Sequence, residues 1–532
     1  MLPLLLFEDD HLLVINKPAG MNTHAPSPFA GEGIYEWLKH RESRWAHLGL
    51  QHRLDKETSG VLVFGKTALA NRSLTEQFTQ RVVRKTYALL TDRPVARECV
   101  VKSNITRAGD RYVSATIGDA AETRFRPAPP AADSILFSVE AEPVTGRTHQ
   151  IRVHAAEKGF PILGDSLYGG SPFSRVCLHA AELKLCHPLD GRELLFSAAA
   201  DFDTDPRAAL RRAVINSDET NAFRCIHGAG DGWPGWYVDQ LGAFVLSQAP
   251  FGLDPQRQEL LPLVGFQPAA VAERGIYHKV LDRQVRRSRI SDASPRWVQG
   301  SLAPERFVIR ENGVQFEMSF AEGYSTGLFL DQRDNRRRLL NGHVAAGFEL
   351  SPPSRSADPL KVLNAFAYTC GFSVCAAKTG ARTTSLDLSR KYLEWGKRNF
   401  LLNDLDPAEH NFIYGDAFEW FRRLAKKGRG FDVIILDPPT FSQSKESGIF
   451  RAEKDFGKLV SAALPLLQSG GVLLASTNAA EWAPEEFLEQ VADAIAKAGR
   501  RVLQQHYVPQ PPDFPIPKSE PAYLKTAWLR VG

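Results

Sequence analysis

A chain of 532 residues with 43% hydrophobic and 24% charged residues carries enough apolar material for several cores, which excludes a disordered chain and predicts two or three domains. A net charge of +4 excludes a strong polycation, and six scattered cysteines (Cys99, Cys177, Cys186, Cys225, Cys370, Cys375) without CxxC spacing exclude a disulfide scaffold and fit a reducing compartment. No run approaches the ~20 apolar residues of a membrane span, and the start, MLPLLLFEDD, has no basic leader, so the expected location is the cytoplasm.

Residues 1–205 read as short strands, among them HLLVINKP, GVLVFGKT, KTYALL and LFSVEAEP, broken by turn residues and short helices; this predicts a mostly antiparallel α+β domain. Residues 206–221, with acids, a proline and a basic helix-like piece, read as a linker. Residues 222–320 alternate strands with Gly/Pro turns and include the hairpin-like RFVIRENGVQFEMSF around Asn312-Gly313, which predicts a small α+β module. From 321 to 532 strand and helix alternate through KVLNAFA, ARTTSLDLS, HNFIYGDAFEWF, FDVIILDPP and GGVLLAST, the rhythm of an α/β fold with a doubly wound parallel sheet. LSPPSRSADP (350–359) reads as a surface loop before it. Basic residues bunch in KHRESRW (39–45), QRVVRK (80–85), RQVRRSR (283–289) and DQRDNRRR (331–338), each either a solvated face or a phosphate contact.

In QHRLDKETSG, Arg53 stands two residues before Asp55 and a Thr58-Ser59-Gly60 turn follows, so the carboxylate sits on a tight turn that opens a strand. Alone, it reads better as a cap satisfied by its neighbours. Together with NKPAGMNTH (16–24), RKTYALL (84–90), EPVTGRTHQIRVHAAEKGFPILGDSLYGG (142–170) and LHAAELKLCHPLDGRELLFSA (178–198), in that order, it resembles the RluA-type pseudouridine synthases over nearly all of residues 1–200. The chemistry breaks the C1′–N1 bond of uridine and rejoins the uracil through C5, and a carboxylate suits it as a nucleophile at C1′ or as a base on the sugar. The resemblance implies this role for Asp55. It makes Tyr87 the residue that stacks on uracil and a candidate base, and Arg152 the partner that keeps the aspartate ionised. Arg53 is placed to fill the gap left by a flipped nucleotide, with His52 beside the substrate. No cofactor is expected for this half. Many members carry a small RNA-binding domain ahead of the catalytic one; here catalytic sequence starts at once, so substrate choice is expected to come from elsewhere.

VLNAFAYTCGFSV (362–374) follows a predicted strand and opens a helix, with Asp387 ending the next strand, Asp416 in YGDAFEW and DPPTFS (437–442) after the fourth. The set resembles the cofactor site of class I S-adenosylmethionine methyltransferases, a Rossmann-like fold. It implies cofactor contacts from Asn364, Phe366, Tyr368, Thr369, Gly371, Asp387, Asp416 and Asp437. With GAGDGWPGWYVDQLG (228–242), STGLFLDQRDNR (325–336) and PIPKSEPAYLKTAWLRV (515–531), the region from 222 onward resembles the RlmI/RlmK-type methyltransferases of large-subunit ribosomal RNA. Two departures stand out: Cys370 where relatives usually have glycine, and Ser325 where lysine is common. They are expected to alter the loop and to weaken a phosphate or cofactor contact.

Methylation at C5 of cytosine requires a thiolate to add at C6. No cysteine follows Cys375, and LLASTNAAEW offers Thr477 and Asn478 where one is expected, which disfavours that route. The Asp-Pro-Pro turn resembles nitrogen methyltransferases, in which Pro438 and Pro439 aim polar groups at a flipped base and Phe441 stacks on it. Guanine N7 has a lone pair and needs no general base, and DPPTFS most resembles the N7-guanine branch, a resemblance that implies this atom ahead of other nitrogens. The expectation is therefore a bifunctional RNA-modifying enzyme, a uridine isomerase ahead of a methyltransferase acting at guanine N7. Its expected partner is 23S ribosomal RNA, with transfer RNA as the alternative, and the middle module is expected to grip RNA. No membrane, metal or obligate protein partner is expected. The competing readings are a pseudouridine synthase with a non-catalytic RNA-binding module, and methylation at another atom such as cytosine C5.

Overall fold

The computed structural model describes residues 2–128, 135–266, 274–281, 294–322, 325–351, 358–444, 448–517 and 520–532. The basic run 283–289 and most of the expected loop 350–359 lie outside the described residues. Among the described residues no helix is long and apolar enough to cross a membrane. The chain forms two compact units, one drawn mainly from residues up to Asn216 and the other mainly from Ser217 onward.

The first unit is built on an 11-stranded sheet. Its main path runs Leu5–Glu8, Leu12–Lys17, Ser59–Gly65, Leu178–Cys186, Arg84–Thr91, Phe137–Pro143, Asp119–Pro127, Cys99–Ala108 and Arg111–Ala115. Pairing is antiparallel except between Ser59–Gly65 and Leu178–Cys186, which meet in parallel with His179 opposite Ser59. Ser59–Gly65 is buried at every position, as its unbroken apolar run dictates, whereas Phe137–Pro143 alternates buried and exposed residues. The turn carrying Asp55 leads into the first of these strands, Tyr87 lies on Arg84–Thr91 and Arg152 on the helix Gln150–Glu157. The stretch expected as a linker contains the helix Pro206–Val214, started by Asp205, whose carboxylate accepts from the Arg207 amide at 2.8 Å.

The second unit opens with a five-stranded sheet, Ala222–His227, Tyr237–Leu241, Phe244–Ala249, Gly275–Val280 and Arg296–Gln299. The hairpin Phe307–Glu311/Val314–Met318 turns at Asn312 (φ 51°) and Gly313 (φ 77°), the two positive values that a type I′ turn requires. A seven-stranded sheet follows, in the order Asn411–Tyr414, Arg382–Asp387, Lys361–Ala365, Phe431–Leu436, Leu467–Thr477, Lys525–Val531 and Val502–Val508. Its first five strands are parallel and Lys525–Val531 runs antiparallel to both neighbours, so the expected parallel sheet is in fact mixed. The middle module shares one buried face with the fold that follows. Ala222, Phe244, Phe307 and Phe316 belong to one continuous cluster with Val362, Val374 and Trp528.

Candidate active sites

The turn that presents Asp55 is held from below. The Thr23 hydroxyl donates to the Leu54 carbonyl at 2.6 Å and accepts from the Leu54 amide at 3.0 Å, and the Thr58 amide closes the turn on the Asp55 carbonyl at 3.1 Å. Lys17, fully buried, donates to the carbonyls of Pro18 and Met21 at 2.9 and 2.8 Å. Burial pulls its ammonium down to about 7, against the opposing pull of Asp55 and Glu57. Asp55 thus stands on a rigid pedestal with its side chain still partly open to solvent.

Arg152 reaches it from the helix Gln150–Glu157. Its Nε and Nη2 donate to Asp165 at 2.7 and 2.8 Å in a bidentate fork, and the remaining Nη1 lies 3.7 Å from Asp55 and 3.5 Å from Glu57. Arg152 is 4% exposed and Asp165 1%. Burial works against the cation, yet Asp165 outweighs it and holds the guanidinium more basic than usual. His149, at φ 56°, places Nε2 3.9 Å from Asp55 while its Nδ1 meets the Tyr168 hydroxyl at 2.9 Å.

A cavity of about 710 Å³ opens over this group, lined by Asp55, Arg152, Tyr87, Arg53, His52 and Lys85 among others. Burial, and then the charge of Asp55, push the Tyr87 phenol upward, so it stays neutral at ordinary pH. Arg53 is exposed at the rim and donates to the Thr148 hydroxyl at 2.6 Å. His52 stacks on Phe78 at 4.8 Å and its Nε2 accepts from the Val63 amide at 3.2 Å; burial and then Lys85 pull it down to about 3, so it braces the wall as a neutral ring. Of the basic run 80–85, Arg81 and Lys85 line the cavity. Sequence reasoning did not single out Asp165, Thr23, Lys17 or Lys85, although all four lie in the quoted motifs.

In the second unit the loop after Lys361–Ala365 places three non-glycine residues in the left-handed region, Phe366 (φ 62°), Tyr368 (φ 49°) and Cys370 (φ 63°). Such strain persists only where the surroundings fix it. Asp387 supplies part of that: its carboxylate accepts from the amides of Tyr368 and Ser389, each at 2.8 Å. Asp416 caps the helix Ala417–Lys426 through the Glu419 amide at 3.1 Å and lines a cavity of about 290 Å³ with Phe366, Leu388, Phe418, Ser442 and Phe450. An apolar slot with a carboxylate at the end of the third strand suits an adenosine moiety. Each Asp387 oxygen keeps a lone pair beyond its amide bond, enough for ribose hydroxyls.

The other expected cofactor residues are placed differently. Asn364 is buried and donates to Ser373 at 3.0 Å; Thr369, also buried, donates to the Gly327 carbonyl at 2.5 Å. A Cβ on Gly371 would lie 2.9 Å from Leu328. These three brace the loop from behind and line neither cavity of this unit described here. Cys370, fully buried, tucks its sulfur against Gly396, where a Cβ would lie only 2.3 Å from it. The sulfur at the loop position where glycine is expected thus finds its room at a glycine in the helix Arg390–Leu401. Ser325 hydrogen-bonds Tyr368 and Tyr392.

Asp437 closes the fourth strand. It accepts from Gln332 Nε2 at 3.1 Å and from Ser476, and burial pushes it up to about 6. A hydrogen-bonded chain continues from Gln332 to Asn335 (2.7 Å) and on to the Trp528 indole (2.9 Å). Pro438 is buried, Pro439 exposed, and Phe441 begins the hairpin strand Phe441–Ser444. In the basic run 331–338 three of the four arginines turn inward: Arg333 forks onto Asp513, Arg336 onto Glu311, and Arg338 donates to the Val344 carbonyl, all buried.

Residues 11–157 match the family described as RNA pseudouridylate synthase, and residues 223–530 match S-adenosylmethionine-dependent methyltransferase. A ribosomal RNA large subunit methyltransferase of Deinococcus radiodurans is 31% identical over 369 residues, 68% of this chain and 84% of its own. A ribosomal RNA large subunit methyltransferase I of Cronobacter sakazakii is 34% identical over 318 residues, 59% of this chain and 75% of its own. The solved structure of SMU.776 complexed with SAH aligns over 65% of this chain and 87% of its own at 28% identity and a TM-score of 0.50. The chain belongs to the S-adenosylmethionine-dependent methyltransferase family and carries an RNA pseudouridine synthase domain in the same polypeptide, an isomerase and a transferase together.

Proposed function

We propose that the first unit isomerises a uridine and the second methylates guanine N7, both in 23S ribosomal RNA. For the isomerase, Asp55 is the group that attacks C1′ or takes a proton from the sugar, and the Arg152 Nη1 stands 3.7 Å from it as charge develops. Tyr87, held neutral, serves as the stacking surface for the uracil. Arg53 on the rim occupies the space left by the flipped nucleotide. His52 supports the wall and is not a proton donor.

The bound S-adenosylmethionine supplies an electrophilic methyl group on a sulfonium. Phe366 and Phe418 would hold the adenine end, Asp387 would take the ribose, and Asp416 caps the helix beside the adenine slot. The observation that carries the choice of atom is the state of the thiols. All six cysteines are free, and the two nearest the cofactor loop in sequence, Cys370 and Cys375, are 0% and 1% exposed. Burial pushes the Cys370 thiol up to about 12 and Cys375 higher still. Neither supplies a thiolate, and the strand that ends at Thr477 carries no cysteine. A route through a covalent C6 adduct has no nucleophile here, whereas N7 of guanine needs none.

The test is a digest of 23S ribosomal RNA treated with the full-length protein and S-adenosylmethionine. Pseudouridine and N7-methylguanosine are the expected new nucleosides. Finding 5-methylcytidine instead overturns the choice of atom, and finding no methylated nucleoside favours a non-catalytic module.

A further inference from the structure

A second cavity of the methyltransferase unit, about 160 Å³, is separate from the adenosine slot and shares none of its lining residues. Its walls come from four places in the sequence, one of them Phe514. Arg224, Asp239 and Lys279 project from the five-stranded sheet, Phe329 and Asp331 from the segment after Ser325, and Tyr368 from the cofactor loop. The residue after Asp331 is Gln332, which grips Asp437 at the Asp-Pro-Pro turn. The cavity therefore takes a wall from the loop that ends the first strand, and its Asp331 is next in sequence to the residue bonded at the end of the fourth, where a methyl donor and its acceptor must meet.

Two features fit an everted base. Phe329 is 50% exposed, with its ring centroid 5.3 Å from that of Tyr368, so an aromatic face stands uncovered at the mouth. Asp331 receives the Tyr523 hydroxyl on Oδ2 at 2.8 Å, which fixes the carboxylate and leaves acceptor capacity on both oxygens. A carboxylate pairs with adjacent N–H donors, and guanine offers two of them, N1–H and the exocyclic amine. We infer that this cavity seats the target guanine of the methyltransferase, with Asp331 reading its N1–H and N2 amine and Phe329 stacking on the ring. Held by that edge, the base turns N7 away from Asp331, because N7 lies on the opposite side of the purine. Phe441, the stacking residue expected from the sequence, lines neither cavity.

The inference rests on the N7-guanine reading, and its test separates the two. The first step maps the methylated nucleoside made on a 23S transcript by the full-length wild-type protein; a product other than N7-methylguanosine overturns that reading and this one with it. Given N7-methylguanosine, Asp331→Asn is expected to lower kcat/KM by about 10- to 100-fold while cofactor affinity, measured by calorimetry, stays within about threefold. A transcript with inosine at the mapped position lacks the amine; it is expected to cost the wild type about tenfold and the Asn variant almost nothing. Phe329→Ala, a half-exposed change that the fold tolerates, is expected to cost about tenfold. An equal inosine penalty in both proteins, or full activity of Phe329→Ala, overturns the assignment.

Discussion

The two sites reach order by opposite means. Around Asp55 the work is done by charge: one carboxylate on a pedestal, a forked arginine pinned by a second buried carboxylate, and a wide basic cavity. Around the cofactor loop it is done by backbone, with three left-handed non-glycine residues, of which Tyr368 is held by its amide on Asp387 and Cys370 by its sulfur fitted against a glycine. The contrast has a chemical reason. Isomerisation develops charge at a sugar carbon and needs a pre-set ion pair, whereas methyl transfer from a sulfonium chiefly needs alignment.

The comparison can be broken most severely at Asp55. Asp55→Asn keeps the shape and removes the charge, so pseudouridine formation is expected to vanish while the methylation rate stays within about twofold. A paired loss of both activities would show that the sites are not independent.

Next comes Asp165→Asn, which leaves Arg152 buried with its fork half-filled. Removing one partner of a buried pair costs about 3–5 kcal/mol. A drop of that size in a denaturation midpoint of the first unit, with lower isomerase activity, is expected, and an unchanged midpoint would mean that solvent reaches the pair.

In the second unit the corresponding break is steric. Gly396→Ala drives a methyl into the Cys370 sulfur and is expected to cost about 2 kcal/mol and to weaken cofactor binding. Cys370→Gly in the same chain should restore most of both, because it removes the obstacle and the left-handed strain together. Failure of the rescue would mean that the helix, not the loop, yields.

The smallest effect concerns pH. His52 is pulled down to about 3 in the fold, so below the unfolded value near 6.5 the unfolded chain binds the extra proton and stability falls as pH drops from 6.5 toward 3. Between pH 7 and 5 the loss from this residue is on the order of 1–2 kcal/mol, and His52→Gln, which can still accept from the Val63 amide, should flatten that part of the midpoint-against-pH curve.

Much of this was legible in the sequence because it lies in short, local patterns. The strands of the first domain, the five parallel strands from 361 to 477, the Asn-Gly hairpin and the turn bearing Asp55 all follow from period and turn chemistry. What was not legible depends on residues far apart in the chain. Nothing local says that Arg333 turns inward to Asp513 rather than outward to phosphate, or that Gly396 makes room for Cys370. The antiparallel last strand escaped because its apolar run reads the same in either direction. The middle module looked separable because its turns are its own, while its buried face is shared with the fold that follows. Removing residues 222–320 would therefore unseat the methyltransferase core, and surface substitutions are the sound way to probe RNA grip.

The central claim is two chemistries on one chain with separable residues, and the most direct measurement is nucleoside-resolved mass spectrometry of 23S ribosomal RNA from cells lacking the protein. One pseudouridine and one N7-methylguanosine are expected to disappear, and complementation with Asp55→Asn is expected to bring back only the methyl group. Retention of both marks in the deleted strain, or return of the pseudouridine with the Asn variant, would contradict it.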